Sequence, residues 1–478
     1  MYPNQQEVHA STRTQSPSAE LTRKDLDHVL HPWAYFPTIR DEAPLVFVKG
    51  EGCTVEDADG NRYLDAIGGM WCVTLGHGRA ELAEAMAQQA KQLAFYTPFG
   101  TMANGPAAEL AAELAELTPG DLNRVHFTTG GSTAVDSALR FVHYYWASIG
   151  QPSRKHIISR VDAYHGSTYL AASVSGKKRD RTYFQYESSF VHHISSPNLY
   201  RQASGRTKEP SAEAFCDQLV DELEQKILAL GPEQVACFIA EPILASGGVI
   251  VPPAEYQRRT LEVCRRYGVL YICDEVVTGF GRLGHFFSSE PHFGIVPDII
   301  ITAKGLTSGA IPLGAFIASD RLFDAIAADA PADSIFTNGF TYSGHPVACA
   351  VARANLALMK QERICEHVQD VGPYFIKRLQ ELKRYDIVGD VRGDHLMACV
   401  VCDVSGRAPE ATHRDIAVAG RVDAHCQARG LLVRPYESLC ILSPPLTIDR
   451  QTIDTLVDTL HAAIRATERE LRTEGWRP

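Results

Sequence analysis

Five short segments in the middle of the chain are almost wholly apolar: His156–Ser159, Val235–Ala240, Val269–Cys273, Ile299–Thr302 and Ala315–Ala318. A strand with one wet face alternates polar and apolar residues, whereas an unbroken apolar run has both faces covered. Segments with helical spacing lie between several of these runs, for instance Ser211–Leu230 and Ala254–Tyr267. Doubly buried strands alternating with helices specify an α/β fold built on a mostly parallel sheet. Upstream, residues 79–94 and 105–117 are Ala/Leu/Glu-rich with helical periodicity. Val125-His-Phe-Thr-Thr leads into a Gly-Gly-Ser turn, and Thr133 to Tyr145 continues as a helix. Val48–Leu64 alternates around Asp59-Gly60 and reads as a hairpin.

Beyond residue 345 the pattern changes. A long helix (Pro346–Met359) and a second near Gln369–Lys383 precede short strands around Leu396–Asp403, Leu431–Val433 and Leu439–Leu442, and a last helix begins near Asp449. These describe a smaller α+β unit. The expected division is a flexible polar tail over 1–27, an N-terminal segment over 28–80 packing with the small domain, a large domain over 81–340 and a small domain over 341–478. The tail lacks the apolar core of a signal peptide, and no apolar stretch reaches the roughly 18 residues of a membrane helix. With 46 Lys+Arg against 57 Asp+Glu, the formal charge of −11 gives no electrostatic reason to bind nucleic acid or an anionic membrane. Of the 12 cysteines only Cys399 and Cys402 have CxxC spacing, inside an apolar run that reads as a buried strand. No second pair completes a zinc site, so no metal is expected, and scattered free thiols fit a reducing cytoplasm.

Gly279-Phe-Gly-Arg-Leu-Gly284 matches GxGxxG. A dinucleotide fingerprint needs those glycines at a strand-to-helix turn, yet Asp274-Glu-Val-Val-Thr intervenes and no clean helix follows. Thr128-Thr-Gly-Gly-Ser-Thr133 sits where a strand passes into a helix. Glycines admit an anion to the backbone and hydroxyls add donors beside the helix start, so the segment has the form of a phosphate cradle; a simple N-cap at Ser132 or Thr133 is the alternative. Asp274 directly follows the Leu-Tyr-Ile-Cys strand, and Lys304 follows Ile-Ile-Ile-Thr-Ala. Each alone reads as a solvated charge at a strand end. Together with a phosphate cradle they suit pyridoxal phosphate (PLP): a lysine amine forms its Schiff base, and an aspartate keeps its pyridine nitrogen protonated.

These segments carry a resemblance. His31-Pro-Trp-Ala, Leu64-Asp-Ala-Ile-Gly-Gly-Met-Trp-Cys, Tyr164-His-Gly, Ala240-Glu-Pro-Ile-Leu-Ala-Ser-Gly-Gly, Cys273-Asp-Glu-Val-Val-Thr-Gly-Phe-Gly-Arg, Ala303-Lys-Gly, Phe340-Thr-Tyr-Ser-Gly-His-Pro and Val433-Arg stand in one order. With them the chain resembles the class III aminotransferases of PLP fold type I, in the ω-amino acid or amine:pyruvate group. The resemblance implies that Lys304 is the Schiff-base lysine and proton carrier, and that Asp274 pairs with the pyridine nitrogen. Val276 would cover one face of the ring and Tyr164 the other, with His165 and Gly166 shaping the turn. Gly131 and Ser132 would hold the phosphate, joined by Thr341 from the partner subunit, and Glu241 would lie near the cofactor's 3-hydroxyl. On the substrate side, Arg434 would clamp a carboxylate, swinging away for a neutral amine, while Trp71 and Phe99 would line an aromatic pocket. The sequence departs from the family's Ser-Gly-Ser-Glu-Ala-Asn cradle at Gly130, Thr133 and Val135, which alters the expected phosphate contacts.

The implied function is a ping-pong ω-transaminase that passes an amino group from an amine or ω-amino acid donor to an oxo-acid acceptor, with pyruvate giving alanine. The implied assembly is a homodimer with shared active sites, or a tetramer built from it. Rival readings are another class III reaction (a decarboxylase or racemase), a nicotinamide oxidoreductase built on the Gly279–Gly284 loop, and a silent protein that keeps the fold.

Overall fold

The computed structural model of the chain describes residues 18–39, 43–202, 210–408 and 410–477. Strands β1 (Phe47–Glu51), β2 (Thr54–Asp57) and β3 (Arg62–Asp65) form an antiparallel meander. Where the alternation of Val48–Leu64 predicts one hairpin, a second turn at Gly52-Cys53 folds its first half back, and Gly52 exchanges backbone hydrogen bonds with His77. The end of the expected polar tail is helical over Ala19–His28, and residues 1–17 lie outside the described residues.

The large sheet has seven strands: β4 (Leu122–Thr128), β5 (His156–Arg160), β6 (Val191–Ile194), β7 (Val235–Ala240), β8 (Leu270–Asp274), β9 (Ile299–Thr302) and β10 (Gly314–Ser319). Their spatial order is β4-β10-β9-β8-β7-β5-β6. Only β10 runs antiparallel to its neighbours. Successive side chains of a strand point to opposite faces, and here both faces are apolar. Leu270, Ile272, Ile299, Ile301 and Phe316 enter one core with the Gly131–Ser148 helix. Tyr271, Cys273, Ile300, Ala315 and Ile317 enter the other, against the helices Ala212–Leu230 and Tyr256–Arg266. Each strand therefore needs an apolar residue at every position, which is the unbroken pattern read in the sequence.

A second sheet is antiparallel, with β11 (Val388–Asp394), β12 (Met397–Cys402), β14 (Arg434–Tyr436) and β15 (Leu439–Leu442) in the order β11-β12-β15-β14. Cys399 and Cys402 are buried in β12. Between these strands in sequence, β13 (Leu431–Leu432) leaves the sheet and pairs in parallel with β3, which ties the N-terminal meander to the C-terminal part. Asp449 caps the last helix, Arg450–Thr473, by accepting from Thr452 N at 2.7 Å. The Pro346–Gln361 helix packs on helices Ala80–Gln92 and Gly105–Leu117, so its partners lie across the boundary expected at residue 341. Among the described residues no helix is long and apolar enough to cross a membrane.

Candidate active site

Parallel strands present their carboxyl ends at one edge of a sheet, where ligands gather. β8 ends on Asp274, and Glu241 follows β7. Ala303-Lys304 follows β9, the loop with Tyr164 and His165 follows β5, and Thr129-Gly130 follows β4 before the Gly131–Ser148 helix. Cross-strand pairing sets Ala240 beside Cys273 and Asp274 beside Ile301. Glu241, Asp274 and Lys304 thus emerge from three adjacent strands.

Asp274 is buried, and its Oδ2 lies 2.7 Å from Nδ1 of the fully buried His165. An ionised carboxylate only accepts, so His165 Nδ1 carries the hydrogen. Its Nε2 is buried without a hydrogen-bond partner among the described residues. Asp274 Oδ1 accepts from Val276 N at 3.1 Å, which fixes the carboxylate from its own strand end. Glu241 Oε1 accepts from Tyr164 N and Oε2 from Ala245 N, each at 3.0 Å. Burial pushes the Glu241 carboxyl up, and the charge of Asp274 adds to the rise against His165, the Tyr164 amide and Arg160. Lys304 opens a short 3-10 turn at φ +42°, a left-handed conformation that side chains avoid without a reason. Burial lowers its ammonium below the usual lysine range, and Arg434 adds to the fall, while Cys72, Asp274 and Glu241 oppose it. A lysine so shifted is a better nucleophile and base.

The helix that begins at Gly131 has no side-chain cap, so its first amides face outward and unpaired. Its start lies against the residues that follow β8 and β9. A Cβ on Gly131 would stand 3.3 Å from Val276 Cγ1 and 3.7 Å from Ala303 Cβ. Thr133 Oγ1 turns inward to the Gly130 carbonyl at 2.9 Å, so that hydroxyl serves the loop. Ser132 Oγ accepts from Ser167 N at 3.0 Å, which brings the Tyr164–Ser167 loop onto the cradle. The approach requires Gly166: at φ +140°, a Cβ there would fall 2.6 Å from Ser132 Oγ. Gly166→Ala is expected to impose about 1–3 kcal/mol of strain and to push the loop off the cradle. The check is PLP affinity by equilibrium titration, which should weaken; an unchanged value would remove the loop from the phosphate site.

The outer wall is aromatic and cationic. Tyr164, held by Ser167 Oγ at 2.9 Å, meets the Trp33 ring at 6.0 Å. Arg434 is half-buried in β14 and makes no ion pair among the described residues. Burial lowers its guanidinium, while Tyr164, Tyr436 and Asp180 act against that fall. Trp71 is 3% exposed and packs in a core with Ile243, Met397 and Leu439. Phe99 is 46% exposed and sits against Gly339, two residues before the exposed Thr341. Phe99 and Thr341 therefore share a surface of this chain, apart from the core that holds Trp71. No sequence signal assigns a role to Lys177 or Trp33: Lys177 opens the basic run Lys177-Lys178-Arg179 before a short helix, and Trp33 belongs to the His31-Pro-Trp-Ala block.

The Gly279–Gly284 loop does not have a dinucleotide's turn. Its amides are spent internally, Phe280 N on Phe286 O at 2.7 Å and Gly281 N on His285 O at 2.8 Å, and the next element is β9. Its glycines admit neighbours, since a Cβ on Gly281 would meet Leu446 Cδ1 at 2.8 Å.

The family model of the class-III aminotransferases matches residues 35–464. The chain is a class III aminotransferase. This aminotransferase is 39% identical over 455 residues to the putrescine–pyruvate aminotransferase of Pseudomonas aeruginosa, across 95% of this chain and 96% of that one. It is similar to the solved (S)-enantioselective omega-transaminase of Thermomicrobium roseum, with a TM-score of 0.89 and 42% identity over 94% of this chain and 98% of that one. The omega transaminase of Pseudomonas jessenii, solved in complex with PMP, has a TM-score of 0.89 and 36% identity, with 94% and 98% covered. Class III aminotransferases have PLP fold type I and depend on PLP. The aminotransferase's own residues fit that cofactor. The uncapped helix start suits a phosphate, Lys304 has no bonded partner among the described residues, and His165 Nε2 is a buried donor or acceptor left over.

Proposed function

We propose that this aminotransferase is an ω-transaminase that takes the amino group from an amine or ω-amino acid and delivers it, by a ping-pong reaction, to pyruvate. The observation that carries this reading is Arg434, a half-buried guanidinium with no ion pair among the described residues, close enough to Lys304 to lower its ammonium. A guanidinium so placed recognises a carboxylate by two parallel hydrogen bonds. The name of the 39% identical relative, a putrescine–pyruvate aminotransferase, supports pyruvate as acceptor.

Bound PLP supplies a carbonyl for the amine and an electron sink for the carbon that loses a proton. Lys304 Nζ would hold it and, with its ammonium lowered by burial, would serve as the base at the substrate carbon bearing nitrogen. Asp274 keeps the pyridine nitrogen protonated, and His165 holds Asp274. Val276 and Tyr164 would pack against the cofactor's ring, Gly131 and Ser132 would hold its phosphate, and Glu241 would lie near its 3-hydroxyl. Trp71 would line the amine pocket of its own subunit, and Phe99, apart from it in this chain, would reach the pocket across a dimer. Thr341 and Phe99 are both exposed on one surface, which supports a homodimer in which each subunit completes its partner's site. The 12 cysteines are all free, which supports a reducing compartment, the cytoplasm.

The test is a panel of diamines, ω-amino acids and aryl-alkyl amines, each given to the PLP-loaded enzyme with pyruvate. Alanine should form in equal amount with the carbonyl product. Release of CO₂, or racemised amino acid without any alanine from an amine, would assign the site to a decarboxylase or racemase instead.

A further inference from the structure

Arg434 has a cationic neighbour that the reaction above does not use. Tyr436 lies two residues on and on the same face of β14, and Nζ of Lys177 stands 3.9 Å from its ring centroid. The Tyr164 ring lies 5.4 Å from the same ammonium. Lys177 is itself 3% exposed, with Nζ 3.0 Å from Asp180 Oδ2 and 3.2 Å from Ser246 Oγ. Asp180 acts on two cations, since its charge opposes the fall that burial imposes on Lys177 and on Arg434. Among the described residues only Lys177 forms an ion pair with its carboxylate. Arg179 is exposed, 5.3 Å from the Tyr436 ring, and its charge acts on Glu437.

We propose that Lys177 is a positioning residue which, by occupying Asp180, leaves the Arg434 guanidinium free to take a substrate carboxylate. The reasoning is competitive. A guanidinium and a carboxylate in one partly buried place pair strongly, and a clamp already paired has nothing left for substrate. Lys177 wins Asp180 because its ammonium is fixed by the Ser246 hydroxyl and the Tyr436 ring face as well. Binding of a carboxylate-bearing substrate thus depends on a side chain that never touches it.

This rests on the reading of Arg434 as the carboxylate clamp, so Arg434→Met is the reference variant. The experiment follows the half-reaction of the PLP-loaded enzyme by its visible absorbance, with L-alanine and with n-butylamine, which has no carboxylate. Lys177→Met is expected to raise the half-saturating alanine concentration about tenfold or more, the scale of one hydrogen bond between charged groups. The value for n-butylamine should stay within about twofold, because no charged contact to it is lost. Adding Asp180→Asn should restore alanine binding, and Asp180→Asn alone should leave it at least as tight as in the parent enzyme. Equal losses for both substrates, no restoration in the double variant, or weaker alanine binding in Asp180→Asn alone would each overturn the proposal. If Arg434→Met leaves alanine binding unchanged, the clamp reading fails; if it abolishes alanine binding and Lys177→Met does nothing, only the role of Lys177 fails.

Discussion

Lys304→Ala will have no measurable transaminase turnover, and borohydride treatment will leave it without covalently attached cofactor. In the parent enzyme the same treatment should add one pyridoxyl mass to the peptide containing Lys304. The expectation follows from place as much as from chemistry. Lys304 enters the site at φ +42° from the end of β9, between the charges of Asp274 and Glu241 that act on its ammonium. Among the described residues no other lysine is placed to substitute: Lys177, also near Arg434, pairs with Asp180 and Ser246. Alanine at residue 304 keeps the backbone strain but removes the nucleophile, so the melting temperature should stay near the parent's. An adduct appearing on Lys177, or residual turnover, would contradict this assignment.

Asp274→Asn is expected to lower kcat by about 10²–10³, the loss usual when one preorganised electrostatic partner of the transition state is removed. The amide is isosteric: its oxygen can still accept from Val276 N, and its NH2 can donate to His165 Nδ1 once that ring carries its hydrogen on Nε2. What it loses is the negative charge that keeps a pyridine nitrogen protonated. Activity should therefore fall far more than stability, and PLP should still bind through the cradle at Gly131. Parental kcat in Asp274→Asn would mean that the ring nitrogen is held by some other group.

Much of this architecture was legible because burial on two faces leaves a pattern that does not depend on context. Val235–Ala240, Ile299–Thr302 and Leu439–Leu442 fall on strands with the same bounds, and the 105–117 periodicity is a helix over those residues. Strands at sheet edges left no such mark. Val191–Ile194 and Val388–Asp394 carry polar residues where one side is open, so apolar runs did not reveal them. The meander over residues 47–65 was read as a single hairpin because its first turn, Gly52-Cys53, is stabilised from afar by His77. The same distinction holds in the site. Asp274, Lys304 and the Gly131 cradle announce themselves at strand ends, whereas Lys177 and Asp180, an ion pair three residues apart, come to lie beside Arg434 from a distant stretch. Nothing local in the sequence encodes that meeting.

The parallel pairing of β13 with β3 also sets a timetable. During synthesis β3 leaves the ribosome early, and its partner edge arrives only once Leu431 and Leu432 have been made. At about 5–20 residues per second that interval is tens of seconds. Through it the large sheet can close from strands already present, while β3 offers an open edge to any other strand in reach. The stretch from Leu64 into Trp71 and Cys72, whose thiol acts on the Lys304 ammonium, is therefore among the last parts of the molecule to settle. Activity should consequently appear later during refolding than the burial of the large core.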